Sequence, residues 1–153
     1  KNPLPPRSRV MEIGCGWGLL GIYCAKNFDA RVTGTDADKN VFPFLHLHAE
    51  INGVKVKTEA ARFENLTVER LKKVDVLFGA DVCFWDELTP VLFNLIKRAR
   101  KAGVKKIIIS DPSRSPFTEL AKRCKDSYDD ASVIARSLVR PVRATGELLI
   151  IEP

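Results

Sequence analysis

A chain of 153 residues with 45% hydrophobic side chains is long enough for one domain with a single core. It has no apolar stretch of membrane-spanning length and no basic and apolar signal segment at its start, so we expect a soluble, cytoplasmic protein. The cysteines show no CxxC pairing and lie within apolar patterns, which predicts buried, reduced thiols and no metal site at Cys15, Cys24, Cys83 and Cys124.

The net charge of +6 is unevenly distributed along the chain. Residues 1–96 carry 12 Lys/Arg against 12 Asp/Glu, whereas residues 97–153 carry 13 against 7. A basic face toward RNA or an acidic partner is one interpretation. A solvated helix face is the other, and we favour it because no aromatic residues for base stacking are interleaved with these charges.

The segment Val10–Gly21 combines a short apolar run, closely spaced glycines and a return of apolar residues at helical spacing. This pattern predicts a strand, a tight turn and a helix. Glycines in such a turn let a ligand lie on the main chain, where free N–H groups at the helix start can hold an anionic group. The segment therefore predicts a ligand-binding first β–α unit.

Two ligands are consistent with this unit. Gly16–Gly21 fits the dinucleotide pattern G-x-G-x-x-G, and Asp36 follows at the distance expected for an acid that binds ribose hydroxyls, as for NAD. However, Gly14 adds a glycine, and Glu12 would bring a carboxylate close to a pyrophosphate. S-adenosylmethionine, which carries a carboxylate, an ammonium and a sulfonium, suits these residues better.

The run Glu12-Ile-Gly-Cys-Gly-Trp-Gly18 also resembles motif I, E/D-x-G-x-G-x-G, of the class I, seven-stranded S-adenosylmethionine methyltransferases. Trp17 departs from the small residue more usual at its place. The resemblance implies a doubly wound, Rossmann-like, mostly parallel α/β sheet with an antiparallel strand at the C-terminal end. It also implies that the cofactor contacts Glu12, Gly14, Cys15, Gly16 and Gly18.

We expect an extended lead-in over residues 1–9 and the methyltransferase domain over residues 10–153. The lead-in is broken by prolines. Because helices ahead of the first strand commonly help to cover the substrate pocket in this family, we also expect the chain to be a trimmed core.

The second β-rich run, Arg31–Asp36, ends in an acid and leads into a helix that reaches about Ala49. Asp36 has the place of the acid that accepts from two neighbouring ribose hydroxyls. The alternative for Asp36 is a turn or capping role, to which Asp38 is better suited.

An alternating run, residues 54–59, predicts a half-exposed third strand. In the resembled family the loop after this strand flanks the adenine, so Ala61 and Arg62 are candidates to contact its edge and Phe63 to stack on it. A phenylalanine there can equally be a plug against the core.

The fourth strand, residues 74–81, ends in an acid, Asp81. The segment Gly79-Ala-Asp-Val-Cys-Phe-Trp85 overlaps its end and resembles motif IV of the same superfamily. It is most similar to the protein-lysine methyltransferases and their nicotinamide-N-methyltransferase-like relatives. The resemblance implies that Ala80 contacts the cofactor. If the acceptor is a lysine, its amine must lose a proton before it attacks, and Asp81 or a water path would receive that proton. Phe84 and Trp85 would form an apolar, electron-rich wall; capping for Asp81 and core cover for Trp85 are the alternatives.

A helix is predicted to start with Thr89 as its cap and to end before Gly103. Residues 104–110 form the next strand, followed by Asp-Pro-Ser-Arg114, which resembles the Asp-Pro-Gly-Arg of that branch. Asp111 and Arg114 would hold a charged acceptor at the pocket rim, or pair with each other and shape the loop. A further helix follows from Ser115.

The tail reads as two β runs that meet at a short turn, Thr145-Gly146.

Strands ending in Asp36, Asp81 and Asp111 should converge with the glycine loop at one crevice, because ligands of open α/β sheets bind beyond the carboxyl ends of the strands. We therefore predict an S-adenosylmethionine-dependent methyltransferase that modifies a protein lysine. The alternatives are a methyltransferase for a small amine or RNA, and a non-catalytic binding module.

Overall fold

The computed structural model describes residues 4–153, which form a seven-stranded sheet with helices on both faces. The strands are β1 (Arg9–Ile13), β2 (Arg31–Asp36), β3 (Val56–Ala60), β4 (Val76–Ala80), β5 (Lys106–Asp111), β6 (Ala131–Leu138) and β7 (Ala144–Ile151). The helices are α1 (Leu19–Phe28), α2 (Phe42–Ile51), α3 (Val68–Leu71), α4 (Leu88–Ala102) and α5 (Ser115–Ser127). Of the predicted lead-in, residues 1–3 lie outside the described residues, and Arg9 already belongs to β1.

The strand order is β3-β2-β1-β4-β5-β7-β6. Strands β1 to β5 are parallel, and β7 runs antiparallel to both of its neighbours, β5 and β6. This confirms the predicted doubly wound α/β fold with a reversed strand at its C-terminal end. The order of the strands reverses between β1 and β4, so a crevice forms beyond their carboxyl ends, where ligands of such sheets bind.

The sheet divides the core into two apolar layers. On one face, α4 and α5 pack through Leu92, Leu95, Ile96, Phe117 and Leu120 against β1, β4, β5 and β7. On the other face, Ile22 of α1 and Leu45 of α2 pack against valines of β1, β2 and β3. The side chains alternate between the two faces along each strand, so one strand supplies both layers.

The start of α4 differs from the prediction. The helix begins at Leu88, and Thr89 is buried within its first turn instead of capping it. The Thr89 hydroxyl donates a hydrogen bond to the carbonyl oxygen of Pro116 at 3.3 Å. The predicted cap is therefore wrong, because a tertiary contact to α5 uses this hydroxyl; the predicted end at Gly103 is correct.

The predicted turn at Thr145-Gly146 is also wrong, because both residues lie within β7 and the chain reverses between Leu138 and Ala144. Gly146 is required for close packing instead: a Cβ atom there would lie 2.9 Å from the carbonyl oxygen of Asp111. A glycine inside a strand can mark such an approach as well as a turn.

The four cysteines are free and buried, in agreement with the prediction. Within residues 4–153, no helix has both the length and the apolar character needed to cross a membrane.

Candidate functional site

A cavity of about 650 Å³ lies at the carboxyl ends of β1, β2 and β4, at the predicted crevice. Most of the predicted site residues line it: Gly14, Gly16, Asp36, Ala61, Arg62, Phe63, Ala80, Asp81, Phe84 and Trp85. Four further residues that were not predicted from the sequence also line it: Ala37, Glu64, Val82 and Leu88. Ala37, Glu64 and Val82 directly follow the predicted residues Asp36, Phe63 and Asp81, so their sequence positions were a usable signal.

The glycine loop shapes one wall of the cavity. Gly14 and Gly16 adopt left-handed backbone angles, with φ of 58° and 50°. A Cβ atom at Gly14 would lie 2.8 Å from Val82, whereas a Cβ atom at Gly16 would meet no atom within 4 Å. The main chain at Gly16 therefore faces open space that a side chain would begin to fill, and a ligand can lie directly on it.

Asp36 holds this loop from the end of β2. Its carboxylate accepts hydrogen bonds from the backbone N–H groups of Gly16 and Asp38, both at 2.9 Å. A carboxylate has about four lone-pair positions, so these two bonds leave capacity for two neighbouring hydroxyls. Asp38 has the capping role predicted for it, since its side chain accepts from the Asn40 N–H.

Three residues of the predicted cofactor set support the loop from behind and are not part of the cavity lining. Glu12 is 4% exposed and accepts a hydrogen bond from the Gly21 N–H in α1 at 2.9 Å. The buried side chain of Cys15 faces Gly34, and Gly18 precedes α1 and packs on Leu45. The side chains of Glu12 and Cys15 and the main chain of Gly18 thus position the loop relative to the core.

Burial raises the pKa of the Glu12 carboxyl to about 7, opposed by the Gly21 hydrogen bond and assisted by the negative charge of Asp36. The folded protein therefore holds this proton more tightly than the unfolded chain does. The resulting stabilisation is complete below about pH 4.5 and is lost as the pH rises through about 7. A displacement of this size corresponds to about 3 kcal/mol.

We expect Glu12→Gln to remove this pH dependence, because glutamine can still accept from Gly21 but cannot ionise. The free energy of unfolding, measured in urea from pH 4.5 to pH 8, should fall by about 3 kcal/mol more in the unmodified protein than in the variant. The exposed Glu50→Gln serves as the control and should follow the unmodified protein. Parallel curves for all three proteins would contradict the assignment.

A cluster of three charged residues lies beside the cavity. Asp111 is 4% exposed and accepts from both the backbone N–H of Arg114 at 2.8 Å and its guanidinium at 2.7 Å. The same guanidinium donates to Asp81, which has a left-handed backbone conformation. The structure thus realises the alternative in which Asp111 and Arg114 pair, and it adds Asp81 to the pair.

Two aromatic residues form the open side of the cavity. Phe84 packs its ring 4.4 Å from the Arg114 guanidinium carbon, and the ring centroids of Phe84 and Trp85 are 5.6 Å apart. These side chains are 50% and 65% exposed. Trp85 is therefore not core cover, and this rim of the cavity is open to solvent.

The cavity fits S-adenosylmethionine on the basis of its own residues. It offers an exposed main chain at Gly16, a carboxylate at the end of β2, and the apolar Ala61 and Phe63 beside the same space. Among residues 4–153 there is no group of three or more His, Cys, Asp or Glu side chains arranged to hold a metal ion.

The fold and the cavity together define a seven-stranded, Rossmann-like α/β domain with a ligand site at the point where the strand order reverses. The family described as "Methyltransferase domain" matches residues 10–103, so the chain belongs to this family. Membership of this family confirms the prediction, made from motif I, of a methyltransferase domain of the type that uses S-adenosylmethionine. The assignment to the protein-lysine and nicotinamide branch remains a prediction.

Known proteins with different acceptors in their names are similar to this chain. Phosphoethanolamine N-methyltransferase of Triticum aestivum is 33% identical over 113 residues, which cover 74% of this chain and 22% of that protein. Electron transfer flavoprotein beta subunit lysine methyltransferase of Xenopus laevis is 26% identical over 110 residues, 72% of this chain and 44% of that protein. The chain therefore spans less than half the length of each relative.

The fold is also similar to that of the methyltransferase domain of bacterial CtHen1-CN. The TM-score is 0.68 at 15% identity, and the alignment covers 95% of this chain and 90% of that one. This likeness supports the fold.

Proposed function

We propose that the domain transfers the methyl group of S-adenosylmethionine to an amine nitrogen, with a protein lysine as the first candidate acceptor. The observation that carries this proposal is the charge of the cavity. Among its described lining residues, three are acidic and one is basic: Asp36, Glu64, Asp81 and Arg62. An excess of carboxylates beside the aromatic rings of Phe84 and Trp85 favours cationic groups such as an ammonium or a sulfonium.

The residues proposed to hold the cofactor follow from their places around the cavity. Main-chain N–H groups of the glycine loop at the start of α1 would bind its carboxylate. Asp36 would accept from the ribose hydroxyls, while Ala61, Arg62 and Phe63 would flank the adenine and Ala80 would close the space from β4. The bound cofactor supplies an electrophilic methyl group on sulfur. Glu12, Cys15 and Gly18 would act indirectly, by holding the loop.

The acceptor amine must be neutral to react, because an ammonium has no free electron pair. A lysine with its reference pKa of about 10.4 is almost entirely protonated at neutral pH, so it must first lose a proton. The guanidinium of Arg114 already binds Asp81, which makes Asp81 better suited to positioning the amine than to taking its proton. The exposed rim at Trp85 gives water access to the reacting nitrogen. We therefore assign proton removal to water and orientation of the acceptor to Asp81, Phe84 and Trp85.

Replacing Asp36 with alanine should weaken binding of S-adenosylhomocysteine by at least about tenfold, roughly 1.4 kcal/mol, because both the ribose acceptor and the hydrogen bond to Gly16 are lost. Calorimetric titration measures this change. The matched control is Asp38→Ala, which removes a nearby exposed carboxylate that caps a different turn. Equal affinities for both variants would disprove the ribose assignment.

The acceptor class is tested by incubating the protein and S-adenosylmethionine carrying a labelled methyl group with an extract separated into protein, RNA and small-molecule fractions. We expect label in the protein fraction, on lysine after hydrolysis. Label in RNA would refute the amine proposal. If S-adenosylhomocysteine binds but no fraction is labelled, the non-catalytic module is correct instead.

A small-molecule amine is the second candidate, because the Triticum aestivum relative is named for phosphoethanolamine. In that case the label appears in the small-molecule fraction alone. An incubation with phosphoethanolamine as the added acceptor then tests that particular substrate.

A further inference from the structure

A second concave surface lies at the opposite end of the sheet from the candidate site. It is a groove of about 710 Å³ between the amino-terminal ends of β1, β2 and β3 and the segment that contains α3. Six cationic residues line this surface, which we call the basic groove: Arg9, Arg31, Lys55, Lys57, Arg70 and Lys73. Glu59 is the acidic residue among its described lining.

The groove exists because one part of the sheet lacks a helical cover. The chain between β3 and β4 contains only a 3-10 turn and the four-residue α3. The helices that pack on β3 are α1 and α2, on the other face of the sheet. The face of β2 and β3 that carries Arg31, Thr33 and Lys57 is therefore left open to solvent.

The cations are aligned by strand register. Arg9 is paired with Arg31 across β1 and β2, and Lys55 precedes Val56, which is paired with Val32, so Lys55 lies beside Arg31. Three positive residues thus form a row across three strands that are about 4.8 Å apart. Like charges placed directly opposite each other on neighbouring strands destabilise a sheet. Asp75 offsets the charge of Arg9, and a bound anion would relieve the remaining repulsion between Arg31 and Lys55.

Acidic side chains neutralise only part of this surface. Arg9 pairs with Asp75, and Arg70 pairs with Glu59. Within residues 4–153, Arg31, Lys55, Lys57 and Lys73 form no ion pair with an acidic side chain. Lysines protect exposed sheet edges from aggregation, which accounts for Lys55 and Lys57 at the edge strand β3. It does not account for Arg31 on the inner strand β2 or for Lys73 across the groove.

We propose that the basic groove binds the phosphodiester backbone of RNA. The cations that have no acidic partner lie on β2, at the start of β3 and just after α3, so an extended polyanion can contact several of them at once, whereas a single phosphate cannot. Within its described lining there is no aromatic side chain on which a base could stack. Binding should therefore depend on backbone charge and be independent of sequence.

An acidic peptide fits the groove less well. A peptide that lies against a sheet gains affinity from main-chain hydrogen bonds. The backbone groups of β1 and β2 are already used in ladders with their neighbours, so within the groove only the outer edge of β3 is free for such bonds, whereas the cations lie along all three strands. Phosphates need only such cations.

Binding at the groove is separable from the methyltransferase site. The groove lies at the amino-terminal ends of strands whose carboxyl ends form the cofactor cavity, and a five-residue strand spans about 17 Å. The proposal thus goes beyond the proposed amine methylation, and its failure would leave that function unaffected.

The test measures fluorescence anisotropy of a labelled 20-nucleotide poly-U RNA titrated with the whole chain at several salt concentrations. The groove variant is Arg31→Ala/Lys55→Ala/Lys57→Ala. The matched control is Lys101→Ala/Lys122→Ala/Lys125→Ala, which removes the same charge from exposed positions on α4 and α5. Circular dichroism and binding of S-adenosylhomocysteine verify that each variant is folded.

We expect micromolar affinity for the unmodified protein and the control, and a loss of at least about tenfold for the groove variant. The slope of log K against log salt should become shallower by about 2, because three contacts to a single strand contribute about 0.7 each. Equal losses in both variants would show that net charge alone binds RNA, which overturns the proposal. Competition by poly-glutamate that matches or exceeds that of unlabelled RNA would overturn it in favour of an acidic protein partner.

Discussion

Replacing Gly16 with valine is expected to abolish measurable binding of S-adenosylhomocysteine, a loss of at least about 100-fold or roughly 2.7 kcal/mol. The backbone at Gly16 has a φ of 50° and borders the cavity with no protein atom within 4 Å of a Cβ position. A branched side chain would occupy the space proposed for the ligand and would also disfavour the left-handed angle. Calorimetric titration at a concentration suited to micromolar affinity measures the loss.

The chain contains a matched control for this experiment. Gly53 has a similar φ of 66° and likewise no atom within 4 Å of a Cβ position, but it lies after α2, outside the cavity lining. Gly53→Val should therefore show a similar loss of thermal stability, of about 1–3 kcal/mol, with unchanged ligand affinity. If both variants bind normally, the ligand does not lie on the loop at Gly16.

Replacing Arg114 with alanine is expected to destabilise the protein by about 3 kcal/mol, because it leaves the Asp111 carboxylate buried without its cation. Asp111 is 4% exposed and its side chain is fully enclosed. The free energy of unfolding in urea at pH 7 measures the effect. The control is Arg123→Ala, which breaks an exposed, solvent-screened pair with Glu119 in α5 and should leave the stability nearly unchanged.

A second variant separates charge from geometry at this position. Arg114→Lys keeps the positive charge but lacks the planar fork that reaches Asp111 and Asp81 together. We expect an intermediate stability and a reduced methyl-transfer rate, since Asp81 loses its support. A stability of Arg114→Ala equal to that of Arg123→Ala would mean that the backbone N–H of Arg114 suffices for Asp111.

Much of the architecture was predictable because it depends on local patterns. The second strand has the predicted bounds, Arg31–Asp36, and α5 begins at the predicted Ser115. These elements carry strong signals: a β-branched run that ends in an acid, and a proline at a helix start. The errors fell where a distant contact overrides the local signal, as for Thr89 with Pro116 and for Gly146 with Asp111.

The cofactor site was predicted as a set of residues, but their division of labour was not. The resemblance to motif I implied that Glu12, Cys15 and Gly18 contact the ligand along with the rest of the motif. Glu12 lies in β1, where alternate side chains point to opposite faces of the sheet, and its carboxyl points toward α1. Gly16 lies in the loop after β1, and its main chain borders the cavity.

The sequence by itself determined the class of protein, because motif I and the acids at three strand ends are encoded by short segments and by the regular parallel fold. Only the tertiary structure decided which charges act together. Residues 1–96 have balanced charges by count, yet strand register and the short α3 segment bring six cations to one groove. The same reasoning holds for Asp81, which gains its partner Arg114 from a loop 33 residues away. Contacts between distant segments depend on how the strands align and which faces stay uncovered, and no local pattern encodes either.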